Sequence, residues 1–299
     1  MSAVRKISDQ LNMASFYNLV SAWDLSSVSI VSINNSNKYH KSFNAEQLYK
    51  TYDYFEGSGK VFDDTKSIFA DSNKQALREK LTGTFGYANI TRASLFQEEK
   101  YMNLWVALES LARTKMYSDI ISNVKQTVPA AMSLRYIYRI VRNYVEDCSR
   151  CKVEFDFQGN IIDMKQDAKQ KMVQETIDVF RTPELYQQLL EKSKVKNHHD
   201  RVEWQIQRLY RIRNEIAHSA LQNETSLIIY IEHLYDYLST YITEIVTSIT
   251  FGREGTIEET LSKIRDNYDI FILFIDQGEN KLIEDKVLTT GIIDLISSN

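Results

Sequence analysis

Arg211, Arg213, Asn214 and His218 lie within one stretch of twelve residues, LYRIRNEIAHSA, Leu209 to Ala220. An arginine presents a planar fork of donors that matches a phosphate or a carboxylate. An imidazole titrates near neutrality and moves protons in either direction. The stretch reads as a helix, and its apolar positions form one stripe. At 100° per residue, Ile206, Leu209, Tyr210, Ile216, Ala217 and Ala220 all fall within about 60° of Arg213. A guanidinium is thus expected on the face that should pack. An unpaired charge there is costly, so it needs a carboxylate, a ligand anion or a partner subunit.

Asn214 and His218 are four residues apart and share a face beside that stripe. Arg211 joins them, because seven residues make about two turns. Arg213 and His218 are about 140° apart, so on a straight helix they do not converge. Either the helix breaks between them or each meets groups from a second subunit. Arg211 aligns better with His218, and Arg213 adjoins Asn214, so both arginines stay candidates. The plain alternative is an arginine that snorkels to a neighbouring glutamate and a histidine with a purely structural role.

The elements that must hold these residues are mostly helices. The chain has 299 residues, 43% of them hydrophobic and 25% charged, enough for a sizeable core. It has only 2 Pro and 9 Gly, too few for a turn-rich sheet protein. Tyr101, Leu104, Trp105, Leu108 and Leu111 make one helical stripe. Leu134, Ile137, Tyr138, Val141 and Val145 make another, and Leu227, Tyr230, Ile231, Leu234, Leu238, Tyr241, Ile242 and Ile245 a third. Thr182-Pro183-Glu184 reads as a helix start, and the helix of the arginines is expected from about Asp200 to Ala220. The N-terminal third is mixed: a helix over VRKISDQLNMASFYNLVSAW, a β-branched SSVSIVSI that suits a short strand, and loops at NSNKYHKSFN and EGSGKVFDD. The run YDIFILFID fits helix or strand. Helices joined by modest loops imply a bundle.

Other signals exclude more than they propose. A net charge of −4 argues against a broad nucleic-acid surface but allows a small site gripping one or two phosphates. No run of about 18 apolar residues predicts a membrane span, and the start lacks a signal-peptide core, so the cytoplasm is the expected location. Cys148 and Cys151 have no second ligand pair and read as plain thiols. In EGSGK, Val61 follows Lys60 and Tyr54 stands where a P-loop needs its first glycine. His198 and His199 are adjacent and point apart, which speaks against a shared metal. They are expected in a polar loop before a helix capped by Asp200. Lys192, Lys194, Lys196 and Arg201 make that loop basic, suited to an RNA backbone or simply solvated.

RNEIAH resembles the signature of HEPN domains, an Arg followed after four to six residues by His, often as Arg-Asn-x-x-x-His. YMNLWVALESLAR also resembles the first long helix of the ApeA-like branch, with Trp105 and Glu109 in its Trp-x-x-x-Glu pattern. The resemblance covers about residues 95 to 290. It implies a mainly α fold: an HEPN-like antiparallel helical bundle over 96–299, after a mixed, mostly helical N-terminal region, 1–95. It implies a metal-independent endoribonuclease needing no cofactor, with RNA as substrate. It also implies a homodimer whose two motifs form a composite active site, and a setting in antiviral defence or a toxin system. In that chemistry the ribose 2′-OH attacks the adjacent phosphate. His218 would serve as general acid or base, Arg213 would hold the phosphate, and Asn214 would orient the imidazole or the phosphate. Arg211 and Glu109 would support them, Glu109 by fixing Arg213 or, alternatively, by pairing locally with Arg113. A toxic RNase needs restraint, which implies a regulatory partner. The alternative is a non-catalytic HEPN-like dimerisation module that binds RNA, nucleotide or protein.

Overall fold

A computed structural model describes residues 3–17, 58–115, 117–150, 188–219, 224–252 and 256–276. These residues form α1 (Ala3–Phe16), α2 (Ser58–Ala70), a 3-10 turn (Ser72–Lys74), α3 (Gln75–Ala93), α4 (Gln97–Ala112), α5 (Ile120–Arg150), α6 (Lys192–Ser219), α7 (Glu224–Gly252) and α8 (Ile257–Asp276). The protein is mainly helical, and no strand occurs among the described residues. No described helix is long and apolar enough to cross a membrane. The strand expected at 26–33, the loop at 35–44 and the helix start at 182–184 lie outside the described residues.

Two local expectations change, and a third, open between helix and strand, resolves as helix. The segment from Ser58, read as loop, is helical. Thr65 and Ile68 are buried on it and Val61 is half-buried, spacings of four and three that give a helix one packing face. The helix of the arginines starts at Lys192, not near Asp200. His198 and His199 therefore lie inside α6 rather than in a loop. The Asp200 capping role disappears, and Val195, buried one turn earlier, shows that the packing face already begins there. YDIFILFID is the end of α8, with Tyr268 and Phe271 buried at helical spacing.

The chain divides into two compact units. The first comprises Met1–Arg113 and Leu209–Ser239. Its core joins α1, α2, α3 and α4 around aromatic rings. Phe16 meets Phe85 at 5.1 Å between centroids and Tyr235 at 6.0 Å. The Tyr17 hydroxyl hydrogen-bonds Thr65 at 2.9 Å. Arg92 donates to the Ser15 backbone carbonyl and hydroxyl and to the Tyr235 hydroxyl, tying α3 to the end of α1 and to α7. The α4 stripe legible in sequence is the centre of this core: Tyr101, Leu104, Trp105, Leu108 and Leu111 are all 0% exposed.

The second unit comprises Thr114–Arg208 and Thr240–Asn299. Its helix starts are set by side chains. Asp119 accepts from the Ser122 backbone N–H at 2.7 Å before α5. At the start of α8 the Thr256 backbone N–H donates to Glu259 Oε2 at 3.1 Å, and the Glu259 backbone N–H donates to Thr256 Oγ1 at 3.2 Å. The core includes polar groups. Tyr241 and Thr127, both buried, share a 2.7 Å hydrogen bond. His198 stacks on Tyr136 at 4.6 Å and meets Ser133 Oγ at 3.3 Å, while His199 stacks on Tyr268 at 4.5 Å. Each histidine thus has its own aromatic partner, as adjacent helical positions require.

Candidate functional site

The last three turns of α6, within the first unit, carry the motif. The run from Gln205 to Ser219 holds no Gly or Pro, and its three Arg and two Gln are good helix formers. The helix runs unbroken through Ser219, so no break separates Arg213 from His218. Two contacts from α4 fix its position. The Tyr101 hydroxyl donates to the Leu209 carbonyl at 2.5 Å. The Trp105 ring lies 5.7 Å from the Tyr210 ring. Burial pushes the Tyr101 hydroxyl well above its ordinary range, reinforced by Tyr230 and Glu215, so it stays a proton donor at all ordinary pH values.

Burial fades along the stripe. Leu209 is fully buried, Tyr210, Arg213 and Ile216 are half-buried, and Ala217 is exposed. The arginine expected at the middle of a closed face therefore sits where that face opens. Arg213 Nη1 donates to Asn214 Oδ1 at 3.1 Å. Its Nε is buried and has no hydrogen-bond partner among the described residues. Among the described residues no carboxylate forms an ion pair with it. A buried N–H without an acceptor costs about 1–3 kcal/mol, so this donor favours any oxygen brought to it.

Asn214 is half-buried, and Arg211 and His218 are exposed. The structure thus brings Arg213 and Asn214 into contact. It leaves His218 on the Asn214 side of the helix, one turn further, with no hydrogen bond between them among the described residues. Arg211 and His218 share the exposed face. Glu109 is engaged elsewhere: its Oε2 accepts from Trp105 Nε1 at 2.7 Å. It makes an ion pair with neither Arg213 nor Arg113 among the described residues. The Trp-x-x-x-Glu spacing has a physical basis in this bond, because residues four apart on a helix face each other.

Sequence reasoning passed over Tyr101 and Tyr210 as positioning residues. Both looked like ordinary stripe members, and only the hydroxyl bond and the ring contact distinguish them. Trp105→Phe keeps a ring against Tyr210 and removes the donor to Glu109. The expected loss is about 1 kcal/mol of stability, read as a lower urea midpoint with unchanged slope. An unchanged midpoint would show that the Trp105–Glu109 bond carries no net stabilisation.

Among the described residues, no three His, Cys, Asp or Glu side chains gather closely enough to hold a metal ion. Comparison of the chain with protein-family models, with curated proteins and with solved structures gives no match.

Proposed function

We propose that the protein is a metal-independent endoribonuclease of HEPN type. The observation that carries this reading is Arg213, half-buried, hydrogen-bonded to Asn214, without a paired carboxylate among the described residues, on the helix that also presents an exposed His218. A guanidinium that structure alone required would be expected to carry its carboxylate with it. One that must accept a phosphate is expected to keep its donors available.

In the proposed reaction the ribose 2′-OH loses its proton to a base and attacks the neighbouring phosphorus. The bond to the 5′-oxygen breaks, and an acid protonates that oxygen. The products are a 2′,3′-cyclic phosphate and a 5′-OH end. Arg213 neutralises the charge that grows on the non-bridging oxygens, and His218 supplies one of the two proton transfers. Asn214 holds the guanidinium through its Oδ1. Arg211, exposed beside His218, adds charge to the approach of the phosphate. Glu109 contributes indirectly, by holding Trp105 against Tyr210.

Because Arg213 and His218 point about 140° apart on one straight helix, a single motif does not converge on one phosphate. A second copy of the chain supplies the missing partner, making the site composite across a dimer of HEPN-like bundles. The expected mass by light scattering at micromolar concentration is that of two chains; a monomer would overturn the composite arrangement. The antiviral or toxin setting and a restraining partner follow from the family resemblance alone. The same divergence of Arg213 and His218 favours a second reading, a non-catalytic module that binds RNA, nucleotide or protein. The deciding experiment incubates total RNA and tRNA with the protein in EDTA. Cleavage leaving cyclic phosphate ends supports the nuclease; intact RNA under all conditions supports the binding module.

A further inference from the structure

The part of α6 within the second unit has a buried face and an unusual exposed one. Val195, Val202 and Ile206 anchor it and are at most 5% exposed. On the other side, Lys194, Arg201, Trp204 and Arg208 are all exposed. At 100° per residue these four fall within about 80° of one another and span about 21 Å of helix. Trp204 is 64% exposed, although a tryptophan is normally among the most buried residues. The Arg208 guanidinium stands 6.0 Å above its ring. Lys194 and Arg201 form no ion pair among the described residues. Two nearby acids face other groups: Glu203 pairs with Lys125 at 3.3 Å, and Asp200 lies 3.6 Å from His199 Nδ1, while Glu191 is exposed just ahead of the strip. The strip is positive within a chain whose net charge is −4.

We infer that this strip binds single-stranded RNA, with Trp204 stacking on an unpaired base and Lys194, Arg201 and Arg208 meeting phosphates along the same strand. A ligand for this face must offer negative charge and a flat apolar ring within a few ångströms of each other, and a nucleotide offers both. Stacking on an aromatic side chain requires an unpaired base, because a duplex hides its base faces. The exposed tryptophan distinguishes this face from an ordinary solvated charge run, which has no need of a large ring in water. The choice of RNA over DNA rests on the ribonuclease reading; the strip itself does not.

The test is fluorescence anisotropy of a labelled 20-nucleotide oligouridine with the full chain carrying His218→Ala, so that the probe stays whole. Trp204→Ala added to that chain is expected to weaken binding about tenfold. Lys194→Ala with Arg201→Ala is expected to lower the steepness of the salt dependence by about 1.4, since each phosphate contact to a single strand contributes about 0.7. A duplex of the same length should bind more weakly. Unchanged affinity in the variants, or no binding by the parent, would overturn the strip. Equal binding of oligodeoxythymidine would overturn the choice of RNA. A Trp204→Ala chain that lost self-association instead of RNA would make the strip a contact between copies, again overturning the proposal. Cleavage is scored separately with the wild-type chain. Cleavage without an effect of Trp204→Ala on binding removes only the strip; an effect on binding without cleavage removes only the nuclease.

Discussion

Replacing His218 by alanine is expected to lower RNA cleavage by about 10²–10⁴-fold, the usual contribution of one positioned acid or base. The fold should survive, because His218 is exposed and makes no hydrogen bond among the described residues. Its melting temperature and oligomer mass should match the wild type. Arg213→Ala should be as damaging to cleavage but should behave differently in the fold. It removes the half-buried guanidinium and its bond to Asn214, but it also relieves the buried Nε of its missing acceptor, so stability should change little or rise. Arg213→Lys separates charge from geometry. A lysine keeps the charge but loses the planar fork, and cleavage should remain well below wild type. Arg211→Ala should cost far less if Arg213 is the catalytic arginine. The reverse order, with Arg211→Ala abolishing cleavage and Arg213→Ala leaving it nearly normal, would move the role to the exposed face shared with His218. Cleavage unaffected by His218→Ala would end the proposed mechanism.

The legible part of the structure was the part governed by periodicity. The α4 and α7 stripes are packing faces by their spacing alone, and residues such as Trp105 and Leu238 on them are fully buried. Periodicity failed where polarity masked it. The first turns of α6 carry Lys192, Lys194, Lys196, Asn197, His198 and His199, a composition that reads as loop, yet the single apolar Val195 and two ring-stacked histidines suffice to pack them. The histidines contribute aromatic surface there, which a polar count ignores. Likewise Gly57, Gly59 and the acids Asp63 and Asp64 concealed the start of α2. In the candidate site, the sequence located Arg213 on the apolar stripe but not how far the stripe stays covered. Coverage depends on segments far away in the chain: the first unit joins α4 to the end of α6, about a hundred residues later, through Tyr101 and Leu209. No local pattern encodes such a meeting. Glu109 illustrates the same limit in reverse, since its partner proved to be the local Trp105.

A buried carboxyl and a half-buried imidazole in the second unit should tilt its stability against pH in opposite directions. Glu244 on α7 is 3% exposed, with Oε2 lacking a hydrogen-bond partner among the described residues. Burial pushes its carboxyl up to about 7, against the opposing pull of Arg135 on α5. A raised carboxyl favours the folded state fully below its unfolded value near 4.5 and loses that advantage as pH climbs to about 7. The loss amounts to about 3 kcal/mol. His198 runs the other way. Burial, then the charges of Arg139, His199 and Arg201, lower it to about 4. Its contribution is present above the unfolded value of 6.5 and disappears as pH falls toward 4. It is half-buried, so screening reduces the effect to about 2 kcal/mol. Between about pH 4.5 and 6.5 the two slopes oppose each other, and the wild type should show little net dependence from this pair. Glu244→Gln removes one slope. Relative to wild type, the variant should gain about 3 kcal/mol more at pH 8 than at pH 4.5. His198→Gln should show the opposite trend, losing its disadvantage as the pH falls. Urea unfolding of the three proteins at several pH values gives the difference curves directly, and groups titrating alike in all three cancel. A flat difference for Glu244→Gln would mean that Arg135 or water satisfies the carboxylate and that the polar core of this unit carries its charge without penalty.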